Sequence, residues 1–479
     1  MEDVEDFYPL SPLQEGMLFH VLLNPKFNAY ISQLSCCISG ELDVSALKMA
    51  HQEVIARHPA LRTFFIHEGL KRPVQVVLRE AKTVLEQYDW REFSQPEQHL
   101  RLDYYLAEDQ RRGFNLTEPP LMRISLIRLA DSAYQLIWCT HHLLIDAWST
   151  SLLISEFFAF YHASRRGEKL SLPPSRPYRD YIEWLYQQDL KKLELYWHRT
   201  LRGFRSPTPL PGNRSTNSLL EKSKDYEEQH TRLSEATTVA LKSLTRENQL
   251  TMSSLIQGVW ALLLSYYSKS DDIVFGTIVS GRPPELAGVE TMIGLFINTL
   301  PVRVRVSTED SLLSLLRRIQ SEQAESRQLE FSALSQVQAW SEVPRGVPLF
   351  NSLLVFENYP RLKTALSMDV SDSLDAHSIR RVITESYPLT LTVEPERELW
   401  LLFRYDRAHL NSDVVDRMLT HFSIVLESIA ADPYVKLSKL EKVIDRADEQ
   451  QNILETRMLK EDALEKLRSV KRRAIRSVQ

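Results

Sequence analysis

QLIWCTHHLLIDAWST, residues 135–150, is the stretch on which the fold and the function turn. The mixed apolar run from Tyr134 to Thr140 has the character of a buried strand. It gives way at once to His141 and His142, then to three aliphatic residues, Asp146, and a helix start. A histidine at the end of a core strand is held firmly and still reaches a cleft. Acid–base chemistry needs that combination, because it requires a fixed donor–acceptor distance and a pKa near the working pH. The alternative is a pair of satisfied structural histidines. Asp146, four residues after His142, either orients the imidazole or forms a buried ion pair that shapes the loop. A His–Asp pair does not specify a reaction until a substrate site is found beside it.

Working outward, residues 121–128 and 133–140 read as two strands joined by the tight connection Ala130-Asp131-Ser132, a hairpin that ends at His141. Residues 148–165 carry apolar side chains at helical spacing. Upstream, the pattern gives a short helix over 13–20, a strand over 32–40 and a helix over 44–58 capped by Asp43 and closed by Pro59. A strand–turn–strand follows over 61–78, bent at Glu68-Gly69, and then a helix over 98–111. Downstream lie helices at 178–188 and 190–201, and then FRSPTPLPGNRSTNSLL (204–220). That stretch has three prolines and no apolar periodicity, and reads as a linker.

The second half repeats this grammar. It has a strand near 223–231, helices over 234–246 and 252–268, and the strand DDIVFGTIVS at 271–280. Arg282 follows that strand, and an apolar segment then ends in Asn298 and Thr299, polar groups that need partners if buried. Residues 309–328 are helical and charged. Residues 344–360 give a turn and an apolar strand ending in Glu357 and Asn358; strands over 387–393 and 398–405 and a helix over 411–430 complete the half. From 455 onward large apolar residues are few, and KLRSVKRRAIRSVQ (466–479) is basic. It reads as a solvated helical tail, a docking element or an interdomain linker.

The 479 residues exceed what one hydrophobic core holds, so two core-forming units are expected. The net charge of −5 and the lack of a dominant basic patch argue against nucleic-acid binding. No apolar run is long enough for a membrane span, and the acidic start MEDVEDFYPLSP is unlike a secretory signal. Cys36, Cys37 and Cys139 make neither a disulfide framework nor a C-x-x-C site, which suits a cytoplasmic location. There is no phosphate-cradling G-x-x-x-x-G-K-[ST] loop and no serine elbow.

HHLLIDAWS (141–149) resembles the HHxxxDG core of the condensation domains of nonribosomal peptide synthetases, with Ala147 where the family usually has glycine. YPLSPLQEGMLFH (8–20), RHPALRTFF (57–65), YRDYIEW (178–184), YWHRTLRGF (196–204), VFGTIVSGRPPELAGVETMIGLFINTLPVRV (274–304) and QAWSEVPRGVPLFNSLLVFENYP (338–360) resemble the family's other motifs in order. The resemblance spans about residues 6–445.

It implies an α/β fold of two chloramphenicol acetyltransferase-like lobes forming a V-shaped, monomeric pseudo-dimer with a central tunnel. The lobes are expected at 1–185 and 221–450, with an interlobe helix and linker at 186–220 and a charged helical tail at 451–479. It also implies acyl transfer in secondary-metabolite biosynthesis, in which the amine of a carrier-bound aminoacyl thioester attacks a carrier-bound donor thioester. The 4'-phosphopantetheine arms belong to donor and acceptor carrier proteins supplied in trans, and no metal or intrinsic cofactor takes part. His142 is the expected active-site imidazole, supported by His141, Asp146, Ala147 and Arg282, with Asp146 paired to Arg282 across the lobes. Trp148, Ser149 and Asn298 are expected in the tunnel, and Arg57 and Arg62 are expected to be structural.

Within the family, a cyclisation domain would carry aspartate in place of His141, so His141 argues against it; an epimerisation domain shares the His-His-Asp core, but the LQEGMLFH and NSLLVFENYP stretches look more like peptide-bond-forming members. Two further alternatives stay open. A related acyltransferase would use a free amine or alcohol. A catalytically degenerate domain would only bind carrier proteins, and Ala147 raises that reading because an added methyl narrows the space beside the imidazole. The basic tail is a candidate contact for an acidic partner.

Overall fold

The structure is a computed structural model that describes residues 3–23, 29–82, 85–212, 226–357, 375–383, 387–453, 456 and 460. The end of the expected linker (213–220), Asn358, and the expected tail beyond 453 apart from 456 and 460 lie outside the described residues.

The first half runs β1 (Val4–Pro9), α1 (Pro12–Leu23), β2 (Ile31–Ser39), α2 (Val44–Arg57), β3 (Thr63–Ile66), β4 (Val74–Leu78), β5 (Leu85–Asp89), α3 (Gln95–Arg112), β6 (Met122–Ala130), β7 (Ala133–His141), α4 (Ala147–Arg165), α5 (Tyr178–Tyr186) and α6 (Leu190–Leu201). Local chemistry sets the boundaries. The Asp43 carboxylate accepts the backbone N–H groups of Ser45 and Ala46 at the start of α2, and Ser94 and Glu97 close a capping box on α3. The expected hairpin forms, with Ala130 opposite Ala133. Strand β7 lies between β2 and β6, antiparallel to both, with His141 opposite Ile31.

Strand β7 is buried on both faces from Tyr134 to His141. Leu136 and Trp138 pack with Leu34, Cys36, α2 and α4, where Trp138 meets Phe157 edge-on at 5.3 Å. Each such side chain taken out of water contributes roughly 1.5–3 kcal/mol. The other face is polar and sits under α3. There Gln135 donates to Ser35 at 2.6 Å, Gln33 donates to Asp109 at 2.8 Å, and Arg123 pairs with Asp109 at 2.7 Å.

The second half runs β8 (Tyr226–Arg232), α7 (Glu235–Glu247), α8 (Met252–Ser268), β9 (Asp272–Val279), β10 (Asn298–Arg305), α9 (Leu312–Ser326), α10 (Leu334–Ala339), β11 (Ser352–Phe356), β12 (Asp375–Ile383), β13 (Leu389–Pro395), β14 (Leu399–Asp406) and α11 (Ser412–Ala431). Its sheet has the order β10-β9-β11-β13-β14-β8. Helix α8 is buried from Ser254 to Leu264 and carries Trp260 against Phe403 and Phe422.

Strands β1, β5, β10 and β12 were not expected from the sequence. β1 and β5 are short and half-exposed, so they lack a strong alternating pattern. β12 extends the first half's sheet, in the order β12-β2-β7-β6-β5, pairing antiparallel with β2 from Asp375–Ser39 to Ile383–Ser32. A pairing between segments so distant in the chain leaves no local signature. It also ties the two halves through backbone hydrogen bonds. No helix among the described residues is long and apolar enough to cross a membrane.

Candidate active site

The site begins where β7 runs out. The His141 backbone N–H donates to Leu121 O at 3.0 Å, and its Nδ1 accepts the Leu143 N–H at 3.2 Å. The ring is fully enclosed, edge-on to Phe114. Burial, and next the neighbouring His142, push its pKa down to about 3. His141 is therefore a neutral imidazole serving as a backbone acceptor.

His142 faces the other way. Its backbone N–H donates to Tyr30 O at 2.7 Å, and its Nδ1 lies 2.7 Å from Ile145 O. A carbonyl only accepts, so Nδ1 carries the hydrogen, and in the neutral form of the ring the lone pair lies on Nε2. The residue lines a cavity of about 1000 Å³ between the halves.

Asp146 closes the turn as the N-cap of α4. Its Oδ1 accepts the Ser149 N–H at 2.7 Å, and its Oδ2 accepts the Phe296 N–H from the second half at 3.0 Å. Arg282 Nη2 lies 3.5 Å from Asp146 Oδ1 and donates to Ser149 Oγ at 2.9 Å. Arg282 Nη1 donates to Val289 O and Met292 O, and its guanidinium lies 3.9 Å over the Phe296 ring. Burial lowers the Arg282 pKa, and the facing Asp146 carboxylate works against that fall. Each charge compensates the desolvation of the other, so neither is tolerable alone.

The segment 280–297 carries this junction. Asp146 N–H donates to Gly294 O at 3.1 Å, and Ser149 Oγ donates to the same carbonyl at 2.8 Å. Trp148 Nε1 donates to Glu290 O at 3.0 Å, and Tyr178 OH to Leu295 O. Two glycines permit the approach. Gly281 has φ +61°, and a Cβ there would lie 1.8 Å from Phe296 O; at Gly294 a Cβ would meet the Tyr178 ring at 2.1 Å.

The sequence-derived set thus gathers unequally. His142, Asp146, Ala147, Trp148 and Arg282 line the cavity. Ser149 and Asn298 depart from the expected tunnel position. Ser149 is fully buried and bonded to Gly294 and Arg282. Asn298 is buried and spent on backbone, its Nδ2 donating to Glu330 O at 2.7 Å and Ser332 O at 2.6 Å. Both hold the wall rather than face a ligand. Ala147 is the first residue of α4 and is not among the residues with positive φ, so its backbone does not demand glycine. Arg57 pairs with Glu156 at 2.9 Å, and Arg62 is buried against Ile55 O, Leu78 O and Glu5, away from the cavity.

Sequence reasoning missed much of the remaining cavity lining. Trp184, Gln188, Gln257, Glu330 and Phe331 face the same cavity. Trp184 stands in the quoted YRDYIEW stretch, but Glu330 and Phe331 follow a charged helix and carry no spacing signal.

Comparison with known proteins identifies the family. A family model described as the condensation domain matches residues 4–452. Tyrocidine synthase 2 of Brevibacillus parabrevis is 33% identical over 443 residues, covering 92% of this chain and 12% of that protein. Surfactin synthase subunit 3 of Bacillus subtilis (strain 168) is 34% identical over 455 residues, covering 94% of this chain and 35% of that protein. Linear gramicidin synthase of Brevibacillus parabrevis contains a stretch 40% identical over 462 residues, covering 96% of this chain and 9% of the synthase polypeptide concerned. The chain therefore spans only a small part of the length of these relatives, at most about a third. Among solved structures, a mutant of the starter condensation domain of rhizomide synthetase RzmA in complex with C8-CoA superposes with TM-score 0.76 at 19% identity, covering 90% of this chain and 96% of that one. The X-domain from teicoplanin biosynthesis superposes with TM-score 0.75 at 23% identity, covering 90% and 96%. These likenesses carry the fold: an α/β architecture of two chloramphenicol acetyltransferase-like lobes.

Proposed function

The chain belongs to the condensation-domain family, and from that premise we propose that it forms an amide bond between a donor acyl or peptidyl thioester and the amine of an acceptor aminoacyl thioester. Both substrates ride on phosphopantetheine arms of carrier proteins, and the domain works as a monomer in the cytoplasm. The observation that carries the reading is His142, with Nδ1 committed to Ile145 O and the ring at the wall of a roughly 1000 Å³ cavity beside a locked interlobe ion pair.

An α-ammonium has a reference pKa of about 7.7–8.0, so losing one proton at neutral pH costs little. The nitrogen lone pair then attacks the thioester carbonyl carbon, and the C=O π pair moves to oxygen. The new N–C bond makes the remaining N–H acidic, and His142 accepts that proton through Nε2. Collapse re-forms the carbonyl and breaks the C–S bond. The thiolate takes the proton, leaving a free thiol on the donor carrier and an acyl chain one unit longer on the acceptor carrier. The thioester supplies the driving force. Asp146, Arg282 and His141 act by position, fixing the loop from which the His142 ring projects.

Intact-protein mass spectrometry of acyl-loaded donor and aminoacyl-loaded acceptor carriers tests the reading. The acceptor carrier gains the donor's acyl mass in the presence of this protein. Transfer to a free amine or alcohol instead identifies the related acyltransferase, and carrier binding without transfer identifies a scaffold.

A further inference from the structure

Asp146 and Glu330 are two carboxylates of one cavity with opposite situations. Asp146 has Arg282. Glu330 makes no ion pair among the described residues. Its Oε2 accepts the Gly281 N–H at 3.2 Å, and the Ser280 hydroxyl is its other bonding partner. Gly281 directly precedes Arg282, so this carboxylate stands one residue from the interlobe junction.

The segment that carries Glu330 is stiff. Asn298 holds the carbonyls on both sides of Phe331, and Trp197 Nε1 donates to Ser332 Oγ at 2.8 Å. The Phe331 ring meets Trp184 edge-on at 5.1 Å. Phe331 and Gln188 line the central cavity and also a second surface groove of about 740 Å³, so they form the partition between the two. Glu330 therefore stands in the cavity wall next to this partition, preorganised, with acceptor capacity unspent.

An anion in such a place favours a cationic guest. The cavity lining holds four carboxylates (Asp146, Glu285, Glu330, Glu357) against three cations (Lys192, Arg282, Arg327), with His142 counted neutral. Burial raises the Glu330 pKa, and the Gly281 N–H, the Arg327 charge and the Ser280 hydroxyl only partly offset that rise. A charge-assisted bond to an ammonium is about twice as strong as a neutral one.

We propose that Glu330 is an ammonium-binding group of the cavity: its carboxylate receives the α-ammonium of the aminoacyl acceptor before the amine reaches His142. The proposal rests on the acceptor being an aminoacyl group, as set out above. Glu330 holds the ground state, so its loss reads in binding and KM rather than kcat.

The test is calorimetric binding of a non-hydrolysable alanyl-pantetheine amide and of its N-acetyl form, which lacks the ammonium. Wild type binds the free-amine form tighter by about tenfold, the worth of one hydrogen bond to a charged group. Glu330→Gln abolishes that preference, Glu330→Asp keeps part of it, and Glu357→Gln leaves it intact. Equal wild-type affinity for the two probes, or a preference that survives Glu330→Gln, overturns the proposal. So does a Glu330-dependent preference seen only with an Nα-acetyl-lysyl probe, which places the ammonium on a side chain. Because binding is read without turnover, a protein that shows the preference but never forms an amide refutes the catalytic reading and leaves Glu330 standing.

Discussion

The two walls of the central cavity are built in opposite ways. In the first-half wall the chemistry sits on one short stretch, His142 to Trp148, fixed by a strand end and a helix cap, with Trp184, Gln188, Lys192 and Trp197 lining the cavity beside it. The second-half wall is assembled from separate stretches around Gln257, Thr277–Glu285, Gln323–Phe331 and Val355–Glu357. The first wall presents an imidazole in one tautomer. The second presents amides, carboxylates and aromatic rings. A wall made of one continuous turn is suited to fixed chemistry, and a wall made of independent pieces can vary side chain by side chain. The Arg282–Asp146 pair is the rivet between them.

Removing the rivet gives the largest effect. Asp146→Ala leaves the Arg282 guanidinium buried without its carboxylate and strips the α4 cap, so urea unfolding should lose about 3–5 kcal/mol. Asp146→Asn keeps the cap and should lose less. A loss within about 0.5 kcal/mol, the scale of an ordinary surface substitution, would mean the walls are joined chiefly elsewhere, for instance through β12.

This asymmetry also sets what could be read from the chain. The hairpin, α4 and the roles open to His141, His142 and Asp146 are local, and strand pattern, capping chemistry and motif order expose them. Arg282 came from the family resemblance, with the cost of an unpaired buried Asp146 as physical support. Ser149 and Asn298 were expected in the tunnel from the family resemblance. Their side chains are instead consumed by backbone groups of distant segments, which no spacing reveals. Glu330 and β12 were missed for the same reason: their meaning lies in what folds against them.

Asn298→Ala sharpens the contrast on the second wall. It strands the carbonyls of Glu330 and Ser332, so stability should fall by about 1–3 kcal/mol. The acceptor KM should rise while the donor KM holds. Equal changes in both would show that the segment does not belong to one substrate's side.

His141 tests the first wall through pH. Its folded pKa of about 3 lies below the unfolded value of 6.5, so its neutral form contributes stability that is complete above pH 6.5 and lost progressively as pH falls toward 3. Between pH 7 and 5 this amounts to about 2 kcal/mol. His141→Asn, whose side-chain oxygen can accept the Leu143 N–H, should flatten the stability profile by that amount against the background of His51, which burial lowers to about 4. An unchanged profile would remove the neutral, enclosed His141 from the account.

The smallest effect is expected from Ala147→Gly. The helix loses about 0.5–1 kcal/mol, and turnover rises only for donors with bulk at the α-carbon. A general rise for every donor would make the methyl an obstruction to catalysis itself.

The central claim is that His142 does chemistry and its neighbours do geometry. Its most direct measurement is the single-turnover rate of amide formation between loaded carriers for His142→Ala, read beside the unfolding midpoint of the same preparation. The account predicts a rate lower by roughly 10²–10⁴ with the midpoint close to wild type. A rate equal to wild type in a folded His142→Ala protein would contradict it.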